Sequence, residues 1–111
     1  MPPGKRTPAG KKASELRMVT ARSVNVPGYS HRVNAEKYEA MRKTMMHVLP
    51  RKAPGLTQAE MIDALAAAAP RKLFPDRGRV SWWLKTVQLD LEAKKILVRE
   101  KTRPLRWHRA R

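Results

Sequence analysis

The stretch from Val80 to Arg109 limits the fold most tightly, because a helical period gives way to a strand period with no linker between them. Residues 80–95 (VSWWLKTVQLDLEAKK) put Val80, Leu84, Val87 and Leu91 on one stripe at 3–4 spacing, with Trp83 beside it. Ile96–Glu100 opens with three apolar residues and reads as a strand. Lys101-Thr-Arg-Pro104 makes a tip, and Leu105–Arg109 returns with Leu105 and Trp107 alternating with Arg106 and His108. A single short hairpin is not stable alone in water, so this one must lie against helices.

The upstream sequence supplies them. Asn34 is a good N-cap, and a helix runs from it to Leu49, where Pro50 prevents continuation. Tyr38, Met41, Met45, Val48 and Leu49 form its apolar face. After the turn Arg51-Lys-Ala-Pro-Gly55, Thr57-Gln-Ala-Glu60 is a capping box that starts a helix over 57–69. Leu56 and Met61 sit where a hydrophobic staple would, and Ile62, Leu65, Ala66 and Ala69 make the expected core face. Residues 70–79 connect to the third helix, with Leu73 and Phe74 placed to plug the core. Before Asn34 the sequence predicts a flexible basic arm over residues 1–25, rich in Pro, Gly, Lys and Arg near its start. Val24-Asn-Val-Pro-Gly-Tyr29 reads as an extended lead-in that packs on a domain spanning 26–111.

That order of elements resembles the winged helix-turn-helix superfamily. The strongest piece is Leu91-Glu-Ala-Lys-Lys-Ile-Leu-Val-Arg-Glu100, which is similar to the junction between that superfamily's third helix and its wing. Many members carry glycine where this chain has Lys95, and the 70–79 connection is longer than the usual three or four residues. The resemblance implies a mostly α fold with a small β-hairpin: three helices plus a two-stranded wing. Val26–Asn34 and Ser81–Glu92 also resemble a small family of uncharacterised bacterial proteins. That likeness brings no function, but it assigns residues 26–34 to the folded unit.

The superfamily resemblance also implies a third helix entering the major groove and a wing on the backbone or minor groove. Ser81, Lys85, Gln88 and Glu92 lie together on a helical wheel, and would present a hydroxyl, a cation, an amide and a carboxylate to base edges. A simply solvated face would carry the same four residues. In the wing, Arg99, Lys101, Arg103, Arg106, Arg109 and Arg111 are placed to neutralise phosphates. Arg51, Lys52, Arg71, Lys72, Arg77 and Arg79 in the loops, and Lys5, Arg6, Lys11 and Lys12 in the arm, could widen that footprint. Opposite the core stripe, Trp82, Thr86, Leu89 and Ala93 form a second apolar face, to be covered by residues 19–29 or by a second copy of the chain. Trp107 either stacks on a base or closes the core under the wing together with Leu105.

Charge decides the class of partner. The chain of 111 residues carries 25 Lys and Arg against nine acids, a net +16. The excess is spread: six basic residues against Glu15 in residues 1–24, thirteen against seven acids in 25–98, and six against Glu100 in 99–111. A folded core that is itself basic points to a polyanion. There is no cysteine, so disulfides, thiolate metal sites and thiol nucleophiles are excluded. His31, His47 and His108 lack metal-ligand spacing, and there is no glycine-rich phosphate loop or nucleophilic serine context. The longest apolar run, Ala64–Pro70, is too short to span a bilayer. These features lead to the expectation of a cytoplasmic, non-enzymatic, cofactor-free protein that binds double-stranded DNA in a transcriptional or architectural role. A protein-interaction module acting as a homodimer, or an RNA binder, are the alternatives.

Overall fold

The computed structural model describes residues 17–26 and 28–110. Among these, three helices and two small antiparallel sheets make a mixed α/β unit, in the order β1 (Met18–Arg22), β2 (Ser30–Asn34), α1 (Ala35–Val48), β3 (Leu56–Thr57), α2 (Gln58–Ala68), α3 (Arg77–Ala93), β4 (Leu97–Glu100), β5 (Arg106–Arg109). No helix among the described residues is long and apolar enough to cross a membrane.

The helices start where their caps dictate. The Asn34 side chain accepts the Lys37 amide at the head of α1. Thr57 and Glu60 satisfy each other's backbone N–H groups at the head of α2, completing the capping box. Asp76 caps α3 by accepting the Arg79 amide, so this helix begins at Arg77, three residues before the expected Val80. It ends at Ala93 in a Schellman turn, where the Ile96 amide donates to the Leu91 carbonyl and the Lys95 amide to that of Glu92. Lys95 takes the left-handed conformation (φ 64°) that glycine holds in many such turns.

The core lies where the three helices meet. Tyr38, Met41 and Met45 of α1, Met61 and Leu65 of α2, and Val80, Leu84, Val87 and Leu91 of α3 are all buried, with Phe74 from the connection beside them. The α2 face is rotated from expectation. Met61, read as a staple residue, is fully buried, while Ile62 and Ala69 are only half-buried.

The expectation of a mostly α fold with one hairpin is corrected by the strands. β3 pairs with β5 (Leu56 opposite Trp107), making a three-stranded sheet of order β3-β5-β4. A two-residue strand carries no periodicity, and its partner lies far along the chain, so only the capping box was legible there. At the other end β1 pairs with β2, Met18 opposite Asn34 and Arg22 opposite Ser30. Ala21 is fully buried, so the folded unit reaches back to Met18; of the expected arm, residues 1–16 lie outside the described residues. Val24, Val26 and Tyr29, expected to pack as a lead-in, instead lie exposed in the turn between these strands.

Candidate nucleic-acid interface

Two places in the fold gather the residues that the sequence nominates: the N-terminal half of α3, and the β4–β5 hairpin.

On α3, the wheel joins Ser81, Lys85, Gln88 and Glu92 into one stripe, but the stripe is open along only half its length. Ser81 is half-buried and Lys85 exposed. Gln88 is only 2% exposed and Glu92 is buried as well. The Lys95 turn sends the chain straight back over the second half of α3, bringing Trp107 of β5 onto it. Glu92 Oε2 accepts from Trp107 Nε1 (3.0 Å), Arg99 Nη2 (3.1 Å) and Gln88 Nε2 (3.3 Å). A helical wheel discards position along the axis, which is why a covered residue and an open one looked equivalent. Gln88 is therefore corrected from a groove-facing candidate to a member of a buried polar cluster.

The same cluster changes the role of Arg99. Its Nε lies 2.8 Å from Glu92 Oε1, and its guanidinium stands 5.6 Å from the centre of the Trp107 ring. A carboxylate removed from water needs a charged partner, and Arg99 is that partner. Arg106 donates to the Gly55 carbonyl (3.1 Å) and lies 3.5 Å from Glu60. Arg109 donates from Nε to the Leu49 carbonyl (2.9 Å), satisfying an orphan acceptor at the end of α1. These three arginines bind the hairpin to the helices. Lys101 and Arg103, at the tip, are exposed and make no ion pair among the described residues. They border a shallow hollow with Thr102, Pro104 and Leu105.

Leu105 does not close the core with Trp107; it is 38% exposed while Trp107 is buried. In β5 the inward position falls to Trp107 alone. Its neighbour His108 is buried too, with Nε2 2.7 Å from Glu100 Oε2 across the hairpin. That hydrogen bond raises the His108 pKa above its ordinary 6.5, against the opposing effect of burial.

The second apolar face of α3 is divided. Near its C-terminal end, β1 lies against α3: the Arg22 amide donates to Asp90 Oδ1 (2.8 Å), and Ala93 borders a cleft closed by Arg22, Ser23 and Tyr29. Asp90 is fully buried, and also accepts from the Tyr38 hydroxyl and pairs with Lys94 (2.8 Å). Burial, reinforced by the hydrogen bond to Asp90, holds the Tyr38 hydroxyl well above the usual tyrosine range. Thr86 is buried and Leu89 half-buried. Trp82 is left out, 53% exposed. Sequence reasoning missed Asp90 because its partners lie on α1 and β1, and only the Lys94 pair at i,i+4 was visible locally.

Loop residues Arg51, Lys52, Arg71 and Lys72 are exposed, whereas Arg77 pairs with Asp63 and Arg79 with Asp76 (3.8 Å). Lys5, Arg6, Lys11, Lys12 and Arg111 lie outside the described residues. Among the described residues no group of His, Asp and Glu is disposed to hold a metal ion.

The span from β1 to Trp107 is also what a comparison of sequences recovers. Residues 18–107 match a family of unknown function (DUF6958). The chain belongs to that family. The match opens at the first residue of β1 and ends inside β5, so DUF6958 takes in the N-terminal hairpin that the expected boundary at residue 26 left out. Membership is consistent with the resemblance of 26–34 and 81–92 to an uncharacterised family, and it carries no winged-helix assignment. No curated protein and no solved structure matches the chain.

Proposed function

We propose that this domain is a winged helix that binds duplex DNA, with the β4–β5 hairpin as its wing and α3 as the helix that faces the groove. The element order α1-β3-α2-α3-β4-β5 supports the fold reading, since it sets a small three-stranded sheet against three helices and leaves a hairpin tip projecting from them. The observation that carries the functional reading is the pair Lys101 and Arg103, two exposed cations at that tip with no acid taking them up among the described residues. Ser81 and Lys85 offer a second polar, cationic contact on the open half of α3. Around them the chain keeps its net +16.

Removing one phosphate-binding cation should flatten the log–log salt dependence of binding by about 0.9. The test is titration of a mixed-sequence duplex at several salt concentrations, comparing the wild type with Lys101→Ala/Arg103→Ala. The slope should fall by about 1.8 if both side chains meet phosphate. An unchanged slope removes the hairpin tip from the interface. Structured RNA as competitor decides the polyanion: if it displaces the duplex at lower concentration than duplex displaces itself, RNA replaces DNA in the reading.

A further inference from the structure

The exposed tryptophan on α3 has no structural task that the fold explains. The rings of Trp82 and Trp83 meet edge to face at 5.0 Å, and Trp83 meets Phe74 in the same manner at 6.3 Å. Phe74 is buried in the core. Trp82 is thus the outer end of an aromatic ladder rooted in the interior, an exposed ring held in place rather than a loose surface side chain. It lines a cleft of about 420 Å³ with Gly78, Ser81, Lys85 and Thr86. Lys85 is the exposed cation of that cleft, Gly78 lines it without a side chain, and Gln88 and Glu92 are withdrawn beneath the sheet.

From this we infer that Trp82 and Lys85 set the sequence preference of the domain, Trp82 by contact with a thymine methyl and Lys85 by donation to guanine in the neighbouring base pair. The inference rests on the duplex-DNA reading and names which base edges that site selects. An apolar surface can distinguish bases in the major groove only through the thymine methyl, and an ammonium best meets the paired acceptors O6 and N7 of guanine. The spacing agrees: residues three apart rise about 4.5 Å along a helix and share a face, close to the roughly 3.4 Å step between base pairs. Lys85 in the cleft and the net +16 of the chain make a nucleic acid a better occupant of this face than an apolar protein surface.

Atom-level changes in the DNA test this without depending on the folding of a variant. Sites are first selected from random duplexes with the wild-type protein, and adjacent thymine and guanine are expected in the selected core. Replacing that thymine by deoxyuridine removes only the methyl, and should weaken wild-type binding about fourfold. Trp82→Ala should bind the two duplexes equally and keep the wild-type salt slope, while Trp82→Phe retains part of the discrimination. Replacing the guanine by 7-deazaguanine should weaken the wild type but leave Lys85→Ala unaffected. A selected core without thymine and guanine, or a methyl effect that persists in Trp82→Ala, overturns the inference while leaving the phosphate-binding reading intact. Loss of single-strand binding by Trp82→Ala with duplex discrimination unchanged also overturns it, in favour of stacking on an unpaired base. No duplex binding at low salt overturns both readings.

Discussion

At the scale of single residues, the same side-chain chemistry does opposite jobs a few positions apart. Arg99 and Arg103 belong to one hairpin, yet Arg99 neutralises the buried Glu92 carboxylate and Arg103 meets only solvent. Arg99→Ala should therefore cost about 2–3 kcal/mol in a denaturant titration, below the full range for breaking a buried pair because the arginine keeps some exposure. Arg103→Ala should stay within about 0.5 kcal/mol of the wild type. If the two variants unfold at the same midpoint, the Arg99–Glu92 pair contributes nothing to stability. Lys95 gives the converse case. Held at φ 64° it bears a left-handed penalty that glycine avoids, so Lys95→Gly should raise stability by about 1 kcal/mol. The absence of glycine at this position was visible in the sequence; that the chain makes the turn regardless follows from the two Schellman hydrogen bonds and from the hairpin packing that they begin.

Among the elements, the β4–β5 hairpin should be the one whose stability changes with pH near neutrality. Its strands are linked by His108 and Glu100, and the hydrogen bond between them raises the histidine pKa. A raised folded-state value means that the contribution is complete below pH about 6.5 and is lost as pH rises through the folded value. Amide exchange at β4 and β5, corrected for intrinsic rates, should accordingly show stronger protection at about pH 6 than at about pH 9, and His108→Gln should remove the difference. Equal pH dependence in both proteins would mean that the histidine is not the titrating group. The elements also mark how far the sequence could be read. α1 and α2 were legible because their caps, Asn34 and Thr57 with Glu60, act within four residues. The sheets were not, because β3 draws its partner from β5 and Ala21 its cover from elsewhere in the fold. The candidate site divides similarly. Its cations were evident from composition, but whether each is free or engaged depends on Glu92, the Gly55 carbonyl and the Leu49 carbonyl, contacts between distant segments.

For the molecule as a whole, the excess charge acts on folding and on binding with opposite sign. Twenty-five cations against nine acids repel one another in a small fold, and this repulsion is relieved when the chain expands. The exposed ion pairs, such as Arg17 with Glu39 and Arg77 with Asp63, contribute too little to reverse that balance. Added sodium chloride shortens the screening length from about 10 Å at 0.1 M to about 3 Å at 1 M, so it should stabilise the free protein. A gain of about 1 kcal/mol would raise the midpoint of thermal unfolding by about 4–8 °C. The same salt should abolish the stabilisation conferred by duplex DNA, because it removes the counterion-release term that drives binding. The two melting curves, with and without duplex, should then converge from opposite directions as salt is raised. If salt instead lowers the melting point of the free protein, its attractive ion pairs outweigh its repulsions, and the surplus charge is balanced within the fold rather than held ready for a polyanion.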